Sequence, residues 1–347
     1  MYMFGLNVKK IIFMVIAAIL LIFLAIWATA QGVVSLSLRD VFNIILSKIF
    51  PFVKFEIPRL PQIIVWNLRL PRVLLAIIAG AGLALAGTVM QAIMRNPLVS
   101  PFTIGTSSAA GFGASVAIVL GVGIAGTGKY LIIGNAFFFA MLSVLLVYGI
   151  ARIRGVSAET LILAGIVVMY FFSALTSLLQ YLATKEQLKG VVHWLFGNLA
   201  LARWENLSII FMMFLLSFLL TMKYAWDFNA LAAGDEVAIS LGVNIRQVRL
   251  ISLVLATLIT ATIVCFTGII GFVCLVAPHI TRMLVGNDHR FLLPGSCLVG
   301  AILLLVADTI GRTIIQPVEI PIGIITSFIG VPMFLYLLLT KKKKYWQ

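Results

Sequence analysis

Apolar stretches of about twenty residues recur along the whole chain, separated only by short polar interruptions, and no other feature restricts the fold as much. A helix rises about 1.5 Å per residue, so about twenty residues cover the roughly 30 Å of hydrocarbon in a bilayer. Stretches of this kind are expected as helices near 10–30, 71–94, 101–121, 131–150, 157–182, 207–226, 248–268, 270–285, 293–312 and 322–340. The pattern predicts an all-α, polytopic integral membrane protein with about ten transmembrane helices. Composition leads to the same place. Hydrophobic residues make up 62% of the chain and charged residues 10%, against about 45–50% and about 25% in soluble domains. A soluble chain of 347 residues would also divide into separate cores joined by polar linkers. No such linker is present, so residues 1–347 read as a single transmembrane domain.

The formal net charge is +14, which in a soluble protein would raise the question of nucleic acid. Here the cations stand singly at segment ends. The only block is Lys341 to Lys344, which suits membrane anchoring better than DNA binding. Lys9-Lys10, the apolar run after them and Ala28-Thr29-Ala30 imitate a secretory signal. The run from Ile11 to Trp27 exceeds the usual signal length, so it is expected to be a retained first helix. An even number of spans puts both termini on one side, and their basic residues name that side as the cytoplasm. The segment Thr267-Gly268-Ile269-Ile270-Gly271 reads either as a tight reversal or as a mid-helix kink. A count of nine or eleven would separate the termini.

Two connections are longer than joining helices requires. The outer loop, about 31–70, contains Val41 to Phe50, apolar on one face, followed by Pro51, Pro58 and Pro61, and is expected to hold an amphipathic helix lying on the surface. The inner loop, about 227–247, contains a short helical stretch opened by Asp235 and Glu236, where acids suit the helix dipole, and closed by Gly242. That stretch is too short to cross a membrane and too apolar for a free linker, so it is expected to dock on something.

The second and third helices are dense in small residues, among them Gly80, Gly82, Gly87, Gly111 and Gly113, which fits close helix packing. Arg69-Leu70 and Arg249-Leu250 each precede an apolar run at an offset of 180 residues. The first run would go inward and the second outward, making the units 2–5 and 7–10 an inverted repeat. Gly123 to Lys129 has the spacing of a phosphate loop, but Tyr130 stands where a Ser or Thr must bind magnesium, and no strand precedes it. An ATPase would therefore be a separate chain. Asn206-Leu207-Ser208 matches a glycosylation acceptor at a helix start, a pattern frequent by chance. His193, His279 and His289 have no second ligand at metal spacing, and Cys265, Cys274 and Cys297 lie inside apolar stretches as small core residues. No bound cofactor or metal is expected. Asp308 and Arg312 stand four apart and can pair along one helix face, with Glu319 nearby in sequence.

Leu68-Arg69-Leu70-Pro71-Arg72, Gly87-Thr88-Val89-Met90-Gln91 and Asn96-Pro97-Leu98-Val99-Ser100-Pro101 resemble the FecCD family, permeases of ABC importers for iron-siderophores, haem and cobalamin. Further matches are Trp194-Leu195-Phe196-Gly197, Gly234 to Val243, Gly271-Phe272-Val273, Ala277-Pro278-His279-Ile280-Thr281-Arg282, Asp308-Thr309-Ile310-Gly311-Arg312 and Glu319-Ile320-Pro321-Ile322-Gly323. They run from about residue 60 to near the C-terminus. Cys274 stands where relatives commonly have Gly, and Val99-Ser100 replaces a small-acidic pair.

The resemblance implies a type II ABC importer permease in a prokaryotic cytoplasmic membrane: ten helices per subunit, a homodimer with the pathway between its subunits, two cytoplasmic ATPases that bind ATP and magnesium, and an extracytoplasmic binding protein. It makes Gly234, Asp235, Glu236, Ala238, Leu241 and Gly242 the coupling helix seated on the ATPase. It makes Arg69, Arg72 and Arg312 the docking residues for the binding protein, where complementary charge would speed encounter. The pathway would be lined by the fifth and tenth helices, through Met169, Ser173, Thr176, Ser177 and Gln180, then Thr326, Ser327 and Met333.

Two other functions compete. An ion-coupled secondary transporter would need a mid-membrane acidic residue, and the chain offers none that convinces. An intramembrane enzyme would need His or acid residues clustered at helical spacing within a span, which is not found.

Overall fold

The computed structural model describes residues 2–50, 52, 55, 57–124 and 128–340. Pro51, residues 125–127 of the glycine-rich stretch and the Lys341–Lys344 block lie outside the described residues. Every regular element among the described residues is helical. In chain order they are α1 (Tyr2–Ala30), α2 (Leu38–Ile49), α3 (Arg59–Ile63), a π-helical segment (Ile64–Arg69), α4 (Leu70–Met94), α5 (Thr106–Leu120), α6 (Lys129–Arg154), α7 (Ala158–Leu182) and α8 (Lys185–Leu195). There follow α9 (Trp204–Lys223), α10 (Ala225–Ala232), α11 (Asp235–Ser240), α12 (Ile245–Thr267), α13 (Val273–Val285), α14 (His289–Thr313) and α15 (Ile322–Thr340).

Seven of these segments are long and apolar enough to cross a membrane: 7–30, 59–94, 129–153, 158–182, 204–223, 245–267 and 289–313. Three shorter apolar helices, 106–120, 273–285 and 322–336, complete the set. α3 and α4 form one unbroken helical rod. Pro71 near the start of α4 cannot donate to the carbonyl one turn back, and the π-helical turn over Ile64–Arg69 lies where that bond is lost.

The ambiguous joint between the seventh and eighth expected helices is a true break. Gly268 and Phe272 both take positive φ, 71° and 64°, and the chain turns between α12 and α13 rather than kinking. The expected third helix begins later than its apolar run, because Asn96, Pro97 and the left-handed Gly105 hold the stretch before Thr106 in turns. Helix α8, absent from the sequence-based set, is closed at its start by a capping box between Thr184 and Gln187. The amphipathic helix of the first long loop is α2, capped by Ser37 and burying Val41 and Ile44.

α4 runs through the centre and is buried from Ala79 to Met94. It packs against α12, α13 and α14. Gly80 and Gly300 face one another so closely that a Cβ on either would overlap the other's carbonyl, and a Cβ on Gly87 would overlap the carbonyl of Cys274. The small residues are thus spent on backbone contact between helices. α1 instead packs on α14 and exposes Ile12, Val15, Ile16, Ile19, Ile22 and Phe23, as a lipid-facing helix must.

Candidate functional site

The charged side chains of the long helices stand near the helix ends, and so at the two ends of the bundle. At one end Asp308, whose side chain is 1% exposed, lies between two guanidinium groups. Arg72 donates through Nε to Asp308 Oδ1 at 2.9 Å and through Nη1 to Glu319 Oε2 at 2.8 Å. Arg312 Nε forms an ion pair with Asp308 Oδ2 at 2.9 Å, one helical turn away. These contacts join the start of α4 to the end of α14 and to the segment leading into α15. Desolvating one carboxylate is costly, and two guanidinium partners offset that cost.

Arg69 and Arg312 also close the end of α1. Arg69 donates to the carbonyls of Thr29 at 3.2 Å, Ala30 at 2.8 Å and Val34 at 2.5 Å, and Arg312 to those of Ala28 at 3.2 Å and Gln31 at 3.3 Å. The last carbonyls of a helix lack intrahelical donors and carry partial negative charge, so cations satisfy them twice over. Arg69 is consequently buried, where the resemblance led to an expectation of a docking arginine on the rim. Arg72 faces a recess of ≈ 240 Å³ shared with His193, Asn198, Glu319 and Pro321. A neighbouring recess of ≈ 350 Å³ includes Lys129, His193, Arg203 and Asn206.

At the opposite end, α11 starts after Gly234 (φ 121°) and stops at Gly242 (φ 84°), whose N–H returns to Ile239 O while Val243 N–H returns to Ala238 O. Ala238 is buried, whereas Val237, Ile239 and Leu241 are 43%, 63% and 67% exposed. The short helix thus buries one small side chain and presents an apolar outer face. Asp235 is tied to Arg249 at 2.9 Å and lies 3.8 Å from Arg95. Asn229 on α10 bonds Asp288 at 3.0 Å and accepts from His289 N–H at 2.9 Å, joining α10 to the start of α14. The Arg290 guanidinium beside it, together with Asn229, draws the Asp288 carboxyl down to about 2 against the opposing effect of burial. Burial alone pushes Asp227 on α10 above the usual carboxylate range. Trp226, exposed on α10, lies 4.2 Å under the Arg290 guanidinium.

Of the expected lining residues, Ser173 and Ser177 are exposed on α7, and Met169 and Gln180 are half-buried. Ser173 Oγ donates to Ser108 Oγ on α5 at 3.2 Å. Ser327 borders a recess of ≈ 540 Å³ with Phe196, Ile269, Phe328 and Pro332, and Met333 is half-buried. Thr176 and Thr326 are less accessible than these. Both are buried and donate to carbonyls of their own helix, Phe172 O at 2.8 Å and Gly323 O at 3.1 Å, and Thr326 borders a small recess with Phe272, Val276 and Leu303. α7 packs on α5 and α6, while α15 packs on α13 and α14. Among the described residues no group of three or more His, Cys, Asp or Glu could hold a metal ion.

Comparison with known proteins adds to this geometry. Residues 5–340 match the model of the FecCD transport family. An ABC transporter permease protein of Methanocaldococcus jannaschii is 46% identical over 344 residues, 97% of this chain and 96% of its own. The hemin transport system permease protein HmuU of Yersinia pestis is 36% identical over 328 residues, 94% of this chain and 95% of its own. A solved structure, described as an inward-facing conformation of a transporter of metal-chelate ABC type, superposes with a TM-score of 0.83 at 35% identity, covering 94% of this chain and 99% of that one. With one family model spanning the sequence and relatives aligned nearly end to end, this chain belongs to the FecCD transport family.

Proposed function

We propose that the chain works as one of two identical halves that enclose a pathway and open it alternately to either side of the membrane. As a FecCD-family protein it is the transmembrane permease subunit of an ABC-type metal-chelate importer, and it leaves ATP hydrolysis to a separate subunit. In this reading ATP and magnesium sit on two cytoplasmic ATPases, and an extracytoplasmic binding protein delivers a chelate of the ferric-siderophore, haem or cobalamin type.

The observation that carries the reading is α11, a six-residue helix that buries Ala238 while Val237, Ile239 and Leu241 stand exposed. An apolar face on so short a surface helix suits a partner's cleft, and the ATPase is that partner. The α11 end then faces the cytoplasm, together with both termini. The basic Lys9-Lys10 pair of the N-terminal helix, with Lys10 over the Phe291 ring at the start of α14, agrees with the positive-inside tendency. The seven long and three shorter apolar helices would make ten crossings. Arg69 and Arg249 support the inverted repeat, since both are buried and both donate to backbone carbonyls at a bundle end.

The end with Arg72 would receive the binding protein. Arg72 meets it most directly, through the half-exposed Glu319, while Arg69 and Arg312 hold the rim in shape. Ser173, Ser177 and Ser327, with Met169, Gln180 and Met333, would border the pathway between the two copies. The test is Leu241→Glu, a change at an exposed position that leaves the packed helices untouched. It should abolish co-purification of the ATPase and ATP-driven uptake in proteoliposomes. Retained ATPase binding would refute the assignment of α11. Uptake driven by an ion gradient without ATPase would favour a secondary transporter.

A further inference from the structure

We propose that Arg249 is the positioning residue through which displacement of α11 reaches α4 and α7, an inference that rests on α11 being the ATPase-contacting helix. Its side chain is 4% exposed, and its donors serve three separate elements. Nη2 holds Asp235, the first residue of α11, at 3.0 Å. Nε donates to Ile93 O at 3.1 Å, among the last carbonyls of α4, and Nη1 donates to Val156 O at 3.4 Å, just before α7.

A guanidinium is rigid and planar, with five N–H groups in fixed directions, so its bonds do not reorient independently. Movement of the Asp235 carboxylate therefore pulls on a plate that also grips the end of α4 and the connection leading into α7. α4 transmits what it receives, because the Gly80–Gly300 and Gly87–Cys274 backbone contacts leave it no room to slide separately from α14 and α13. α7 carries Ser173 and Ser177 on its exposed face. A lysine at this position has one ammonium group and no planar fork, so it would serve Asp235 or the two carbonyls, but not all three.

The experiment uses the assembled complex of permease, ATPase and binding protein in proteoliposomes, with Asp235→Ala and Arg249→Lys compared in parallel. Both are scored as substrate moved per ATP hydrolysed, with the bound ATPase quantified in the same samples. Both should lose about tenfold in substrate moved per ATP, in the upper range for a residue lying between two coupled sites. The double variant should be no worse than either single one, because the two residues act in series. Asp235→Glu should restore much of the loss. Wild-type transport per ATP in Asp235→Ala would overturn the proposal, as would an additive double variant. Loss of the ATPase from Asp235→Ala would also overturn it, making Asp235 a docking contact while leaving the assignment of α11 intact. Should Arg249→Lys fail to fold, a spin label at Ser177 decides in Asp235→Ala: its nucleotide-dependent shift should vanish while the ATPase stays bound, and a preserved shift overturns the inference.

Discussion

Replacing Asp308 by Asn should be among the most destabilising single-atom changes available in this protein. One carboxylate, 1% exposed, serves Arg72 and Arg312 at once, and the substitution keeps its shape while removing its charge. Breaking a buried ion pair from one side costs about 3–5 kcal/mol, because the remaining charge stays desolvated. Here two guanidinium groups are stranded, but neither is left bare. Arg72 retains Glu319 at 2.8 Å, and Arg312 retains the carbonyls of Ala28 and Gln31. The lower end of the range, about 3 kcal/mol, is therefore expected. Glu319→Gln offers the internal comparison, since that side chain is 48% exposed and a solvent-accessible pair contributes only about 0.2–1 kcal/mol. Unfolding of the purified chain in mixed micelles, followed by tryptophan fluorescence, measures both. Double-mutant cycles should give a larger coupling for Arg72 with Asp308 than for Arg72 with Glu319. A loss below about 1 kcal/mol for Asp308→Asn, or equal couplings in the two cycles, would refute the view that this carboxylate holds α4 to α14.

Other consequences are equally direct. Glu319→Gln should tighten binding-protein association by about two- to fivefold, half to one kcal/mol, because an incoming carboxylate no longer displaces a resident one from Arg72. Weaker association measured by surface binding kinetics would contradict this. Gly242→Ala meets nothing within 4 Å, so its cost is backbone strain alone at φ 84°, about 1–2 kcal/mol. The chain should fold while ATPase stimulation by the binding protein falls, and unaltered stimulation would count against α11. Gly87→Ala drives its Cβ into the Cys274 carbonyl within the packed interior, so it should cost at least the about 1–3 kcal/mol of overpacking, read as a lowered unfolding midpoint. Asp288 lies below its ordinary 3.8, at about 2. Its contribution should be fully present above about pH 4 and disappear as pH falls through about 2, so wild type and Asp288→Asn should converge in stability under acid.

What could be read from the chain alone were features that depend on neighbours in sequence. Hydropathy over some twenty residues specified the bilayer as solvent, a one-sided apolar pattern located α2, and dipole-suited acids with a closing glycine located α11. The Thr184–Gln187 capping box carried the signal for α8, which Lys185, Glu186 and Lys189 concealed from a search for apolar runs. The Asp308–Arg312 pair was legible because four residues make one helical turn. Arg72 and Asp308, in contrast, lie 236 positions apart, and Arg249 reaches Ile93 across 156. No local rule joins such pairs. Nor does a sequence disclose helix rotation, which leaves Thr176 and Thr326 buried and Ser173 and Ser177 exposed, or the role of Arg69 as a cap on α1. The sequence by itself determined that this protein lives in a membrane as a set of helices, because burial in lipid is a property of each segment separately. Only the tertiary structure decided which cations meet which carboxylates and carbonyls, because those partners are chosen by how the helices pack, and charge in a low-dielectric interior must find them.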